Sequence, residues 1–178
     1  MPREASSPIE RSDQSKESRA EPSPHCRPAR LADVPKIRDL VNVYADRDLM
    51  LPRTSAELYE TVRDFLVLEI EDAGLVGCAA VHIVTGVLAE LKSLAVSEEW
   101  RGLGFGDILV ESCCGVAAEL GLERLFCLTY QVDFFRRHGF VPVDRSQLPE
   151  KVWGECVRCN KFLDCDEVAM WRPLNPGT

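Results

Sequence analysis

In the stretch S-E-E-W-R-G-L-G-F-G-D-I-L, residues 97–109, Arg101, Gly104 and Gly106 stand in the pattern R-x-x-G-x-G just ahead of an amphipathic run. Glycines at that spacing let backbone N–H groups come close to a bound anion, and a helix opening after them adds the positive end of its dipole. The chemistry this suggests is a phosphate cradle, with a helix-entry turn that holds no ligand as the alternative. Two common owners of such a cradle do not fit. A dinucleotide fold carries G-x-G-x-x-G after its first strand, and a nucleotide-triphosphate loop ends in G-K-S or G-K-T. This motif lies past the middle of the chain and lacks the lysine.

The elements around the motif must position it. Leu88 to Ser97 reads as a strand running into the loop, and Asp107 to Gly121 as the helix after it, ended by its glycine. Upstream, Arg27 to Arg30 reads as a short strand. A helix follows with Val34, Ile37, Leu40, Val41 and Tyr44 on one face, Asp33 as its N-cap and Pro35 in its first turn. Thr54 and Glu57 have the spacing of a capping box for a second helix. Residues 66–84 read as two strands around a turn at Asp72, Ala73 and Gly74. Downstream come a strand at 124–130, a short helix closing at Gly139, and "FVPV" as a last strand. The order of elements requires an α/β fold, a mixed central sheet flanked by helices.

Composition narrows the partners. The chain has 178 residues, 46% hydrophobic, with a formal net charge of −8. That length fits one domain with a tail. The acidic balance argues against nucleic acid and anionic membranes as partners. No apolar run is long enough for a membrane helix or a signal-peptide core, so the expected location is cytoplasmic. Residues 1–25 are Ser, Pro and charge, too poor in apolar surface to offset their ordering entropy, and read as a disordered tail ahead of a domain at 26–178.

The strand "LAELKSLAVS", the loop "EEWRGLGFG", the helix after it and the later "FFRRHGF" together resemble the acetyl-CoA site of the GNAT acetyltransferase family. The resemblance spans roughly residues 27–145. Within that family, "LFCLTYQVDFFRRHGFVPVDRSQLPE" and "LMLPRTSAEL" are similar to the acetyltransferase domain of the N-acetylglutamate synthases. The amino-acid-kinase domain that usually precedes it has no room in 178 residues, so the expectation is a short, stand-alone form.

The resemblance implies acetyl-CoA as co-substrate and assigns residues. Glu90 is the general base toward the acceptor amine, with a strand-edge pair to Lys92 or Arg101 as the plainer alternative. Backbone groups of Leu94, Ala95 and Val96 hold the thioester and pantetheine arm. Arg101, Gly102, Leu103, Gly104, Phe105 and Gly106 hold the pyrophosphate. Phe135 stands where many members carry a tyrosine acid for the departing thiolate. Thr129 takes that place in the synthases, and Tyr130 is its rival. Arg53 and Arg158 match the substrate arginines by position, and Lys92 either binds a substrate carboxylate or pairs with Glu90.

Three functional readings follow. The first moves an acetyl group to the α-amine of L-glutamate, the first step of arginine biosynthesis. The second changes the acceptor to glutamine, another small amine or a protein N-terminus. The third is a CoA-binding sensor without turnover. A small-molecule amino acid is the expected partner, and a homodimer stays open.

Eight cysteines are unusual at this length. Cys78, Cys113, Cys114 and Cys127 lie in apolar runs and read as buried thiols. Within the segment 150–170, Cys156, Cys159 and Cys165 have knuckle-like spacing but lack the fourth ligand that structural zinc takes. Asp164, Asp166 or His138 would have to complete it. A redox pair and plain packing thiols are the other readings, and no metal ligand is assigned. His82 on its apolar strand reads as a satisfied structural histidine.

Overall fold

The structure is a computed structural model, and it describes residues 23–149, 154, 157, 161 and 164–174. A seven-stranded sheet has the order β1-β2-β3-β4-β5-β7-β6. The strands are β1 (Pro24–Pro28), β2 (Phe65–Ile70), β3 (Gly74–Ile83), β4 (Leu88–Val96), β5 (Arg124–Thr129), β6 (Val141–Pro142) and β7 (Val168–Pro173). The helices are α1 (Val34–Ala45), α2 (Ser55–Thr61), α3 (Phe105–Glu119) and α4 (Val132–Arg137). No helix among the described residues is long and apolar enough to cross a membrane.

Antiparallel pairing runs through the sheet except at β4 and β5, which are parallel. Their pairing covers Leu88↔Arg124 to Glu90↔Phe126 and goes no further. Beyond that point β4 stays with β3 and β5 stays with β7, so the two strands part and open a cleft.

Each face of the sheet buries one helical layer. On one side α3 sets Phe105, Leu109, Cys113 and Ala117 against Ala79, Val81, Leu91, Leu125 and Cys127. On the other, Val34, Ile37, Val41 and Tyr44 of α1 cover Val67, Cys78, Ala80 and Ala95. The i, i+3, i+4 spacing of the α1 residues produces that face.

Several local signals act as read. Thr54 Oγ1 accepts the Glu57 N–H at 3.3 Å and Glu57 Oε2 accepts the Thr54 N–H at 2.9 Å, closing the capping box on α2. Gly121 takes φ +77°, and Leu122 N donates to Ala117 O at 3.0 Å to end α3.

Three readings are corrected. Asp33 precedes α1 but makes no side-chain cap. Its carboxylate accepts from Arg30 N at 2.7 Å and from the Arg27 guanidinium, which is a stronger donor than a helix amide. The first strand spans Pro24–Pro28 rather than starting at Arg27. It is an edge strand, held by backbone pairing to β2, and it tolerates proline. Finally, "FVPV" is not the last strand. Val168–Pro173 follows and inserts between β5 and β6.

Candidate active site

The cleft between β4 and β5 has a volume of about 740 Å³. Its β4 wall is shaped by a bulge. Cys78 pairs with Ala95 and Ala80 with Lys92, so Ala79 alone faces Ser93 and Leu94. Ser93 takes φ +53° there. A bulge leaves its extra residue outside the ladder, and Ser93 and Leu94 both line the cleft. The Tyr44 hydroxyl donates to Val96 O, fixing the end of β4 to α1.

The loop that opens α3 lines the cleft with Arg101, Gly102, Gly104 and Gly106. Gly102 and Gly104 take φ +78° and +81°, the left-handed region that glycine enters without a Cβ clash. The turn they make opens α3, whose first amides have no partner within the helix, and Phe105, Gly106 and Asp107 line the cleft. Gly106 is small for a different reason. A Cβ there would sit 3.2 Å from Cζ of Phe134 on α4.

Helix α4 is tied to α3 through His138, which is nearly buried. Its Nε2 lies 2.8 Å from Asp107 Oδ1 and its Nδ1 lies 2.8 Å from Glu111 Oε1. Arg172 of β7 donates to the same Glu111 oxygen at 2.9 Å. His138 is therefore engaged by α3 through both ring nitrogens. Phe135, buried, stacks edge-on against Phe134 and Phe140.

At the other end stand Thr129, Tyr130 and Glu167. Thr129 Oγ1 accepts the Gln131 N–H at 2.8 Å, which leaves its own hydroxyl proton to donate. Burial, then the charge of Glu167 and a hydrogen bond to Asp166, push the Tyr130 phenol up, so it keeps its proton at neutral pH. Burial likewise raises the Glu167 carboxyl above its ordinary value. Lys161 Nζ sits over the Tyr130 ring, 5.1 Å from its centroid.

Of the residues read from the sequence, Lys92, Leu94, Ala95, Val96, Arg101, Gly102, Gly104, Phe105, Gly106, Thr129, Tyr130 and Phe135 converge on this cleft. Leu103 does not; its side chain is 56% exposed at the loop tip. Glu90 lies at the last β4–β5 pair, below the opening. Arg53 is held through its backbone by the Asn42 amide, at 2.9 and 3.0 Å, at the start of α2 and outside the cleft lining. Arg158 lies outside the described residues. Tyr44 and Glu167 line the cleft but were missed. Tyr44 carried only a helix-face signal, and Glu167 follows the cysteine segment with no motif around it.

The thiols divide as their runs imply. Cys78, Cys113, Cys114 and Cys127 are buried. Burial pushes Cys78 up to about 12 and Cys114 up to about 11. Cys156 and Cys159 lie outside the described residues, and among the described residues no group of three His, Cys, Asp or Glu could hold a metal ion. Cys165 Sγ is 3.3 Å from Arg145 Nη2. His82 is satisfied by Asp64, with Nδ1 2.7 Å from Oδ2.

Comparison with known proteins agrees with this geometry. The family model for the acetyltransferase (GNAT) domain matches residues 62–142. An uncharacterized N-acetyltransferase of Chlorobaculum tepidum is 39% identical over 148 residues, 83% of this chain and 95% of that protein. An amino-acid acetyltransferase of Mycobacterium tuberculosis is 37% identical over 154 residues, 80% of this chain and 88% of that one. The crystal structure of N-acetylglutamate synthase from Neisseria gonorrhoeae, complexed with coenzyme A and N-acetyl-glutamate, superposes with a TM-score of 0.78 at 27% identity. That match covers 88% of this chain and 36% of the synthase. The chain belongs to the GNAT acetyltransferase family and is an N-acetyltransferase of the amino-acid acetyltransferase type.

Proposed function

We propose that the chain transfers the acetyl group of acetyl-CoA to the α-amine of L-glutamate, as the first step of arginine biosynthesis in the cytoplasm. Acetyl-CoA is the co-substrate of GNAT acetyltransferases. The observation that carries the reading is the continuous cleft from the amide-rich start of α3, past the β4 bulge, to the polar end at Thr129 and Tyr130. The Neisseria synthase, to which this chain is similar, is complexed with coenzyme A and N-acetyl-glutamate, which supports the acceptor.

In this mechanism the pyrophosphate of CoA rests on the Gly102–Gly106 loop with Arg101 beside it. The amides of Ser93 to Val96 hold the pantetheine arm and take the charge that develops on the thioester oxygen. Glu90 draws the proton of the acceptor ammonium through water. The neutral amine attacks, the C–S bond breaks, and Thr129 or Tyr130 donates toward the sulfur. Phe135 gives that end an apolar wall in place of an acid. A CoA thiol has a pKa near 8.5, so the acid's contribution is modest. Lys92, a cation in the cleft lining, faces a carboxylate of the acceptor. Arg53, at the start of α2, and Arg158 complete the carboxylate contacts in this reading.

The test is thiol release from acetyl-CoA against glutamate, glutamine, aspartate, lysine, spermidine and a peptide N-terminus. Turnover with glutamate is expected. Turnover only with amines or peptides would overturn the acceptor, and CoA binding with no turnover would leave a sensor. In the same assay Glu90→Gln should cut turnover by about 10² while CoA affinity holds.

A further inference from the structure

We propose that Glu167 is the carboxylate that meets the acceptor's ammonium at the mouth of the cleft and takes its first proton, ahead of Glu90. This rests on the acetyltransferase reading and names a catalytic residue that neither motif nor resemblance supplied.

Position comes first. Val168 opens β7 and pairs with Thr129, and Val168 packs with the α3 layer. Tyr130 and Glu167 follow directly outside that pair, and the charge of Glu167 acts on the Tyr130 phenol. Tyr130, Lys92 and Glu167 all line the cleft. Two other carboxylates in the lining are engaged. Asp107 is 2.8 Å from His138, and Asp133 is 2.8 Å from Arg136. Glu90, opposite Phe126, is outside the cleft lining.

Support comes second. The Glu167 backbone carbonyl accepts from the Arg145 guanidinium, and its Oε2 lies 3.7 Å from Cys165 Sγ. Arg145 also reaches that sulfur, so two parts of the connection between β6 and β7 hold the side chain in place. The charged and titratable groups around it are Arg145, Cys165, Asp166, Lys161 and Tyr130. Glu90 approaches from β4: burial first, then the charges of Glu90 and Glu167, raise the Cys127 thiol that lies near both. Burial raises the Glu167 carboxyl, which brings a carboxylate base closer to neutral pH, where a base works best.

The protons balance. The ammonium releases one proton to Glu167, which passes it through water to Glu90 and on to solvent. The neutral amine adds to the thioester carbon. The remaining excess N–H proton leaves as the C–S bond breaks and ends on the CoA sulfur.

The experiment is the pH profile of kcat/KM for Glu167→Gln, Glu167→Asp and the parent enzyme, with CoA affinity by calorimetry. The parent should lose activity as pH falls through the Glu167 value. Glu167→Gln should drop about a hundredfold and lose that acidic limb, with CoA affinity unchanged. Glu167→Asp should keep the limb at reduced rate. An unchanged limb in Glu167→Gln overturns the proposal, as does loss of CoA binding in both variants. Turnover with an amine other than an amino acid overturns only the acceptor reading, and the profiles are then taken with that amine. No turnover with any amine overturns both.

Discussion

His138 Nε2 lies 2.8 Å from Asp107 Oδ1, so the residue that ends α4 is fastened to the first turn of α3. The glycine loop that opens α3 and the helix that walls the cleft are therefore tied together. His138→Ala should remove about 1–2 kcal/mol of stability, the worth of hydrogen bonds to charged partners from a nearly buried side chain. It should also weaken CoA binding, because α4 carries Phe134 onto Gly106. Urea unfolding and CoA titration read the two effects separately.

Gly106 and Gly115 make opposite predictions from the same helix. A methyl at Gly106 meets the Phe134 ring at 3.2 Å, whereas one at Gly115 meets nothing within 4 Å. Gly106→Ala should raise KM for acetyl-CoA about tenfold, near the lower end of overpacking costs of 1–3 kcal/mol. Gly115→Ala should stabilise by about 0.5–1 kcal/mol through helix propensity and leave KM alone. Kinetics and thermal unfolding of the pair decide it.

Arg27 sets the acid stability of the β1–β2 edge. Its guanidinium reaches Asp33 at 2.7 Å and Glu69 at 2.5 Å, and Arg27 and Asp33 are largely buried. Hydrogen bonds from Arg27 hold both carboxyls below their ordinary values. Groups that titrate lower in the folded state contribute fully above their unfolded values, near 4, and the contribution drains as pH falls toward their folded values. Arg27→Leu should cost about 3 kcal/mol at pH 7, since it strands a buried carboxylate. It should also flatten the loss of stability below pH 4. Unfolding measured from pH 3 to 7 for both proteins tests this.

The buried thiols should be silent in the native state. With Cys78 held near 12 and Cys114 near 11, little thiolate exists at pH 8. Alkylation followed by peptide mass mapping should label Cys165 and Cys26, both part-exposed, before Cys78, Cys113, Cys114 or Cys127. Label on Cys113 before unfolding would mean that α3 opens away from the sheet.

The local rules acted wherever one stretch of chain carries its own instruction. Thr54 and Glu57 cap α2 because the two partners are three residues apart. Gly121 stops α3 because only a left-handed residue fits there. Gly104 and Gly106 marked a loop that lines the cleft because glycine spacing, helix entry and a preceding strand are contiguous. The four thiols in apolar runs are buried because apolar neighbours in sequence share a buried element.

Tertiary structure decided what depends on partners far along the chain. Asp33 turns from the helix to Arg27 because an arginine delivered by β1 is a stronger donor than an amide. β7 forms because β5 and β6 leave a slot with unpaired backbone on both sides, which nothing in "EVAMWRP" announces. The cleft exists because β4 and β5 stop pairing at Glu90 and Phe126 and keep other neighbours beyond. That parting sets Glu90 below the opening, leaves Arg53 outside it, and brings Glu167 to its edge from 77 residues beyond Glu90 in the chain. Residue types and spacing determined the kind of chemistry. Which carboxylate lines the cleft is set by strand order, because only the sheet brings the end of β5 and the start of β7 side by side.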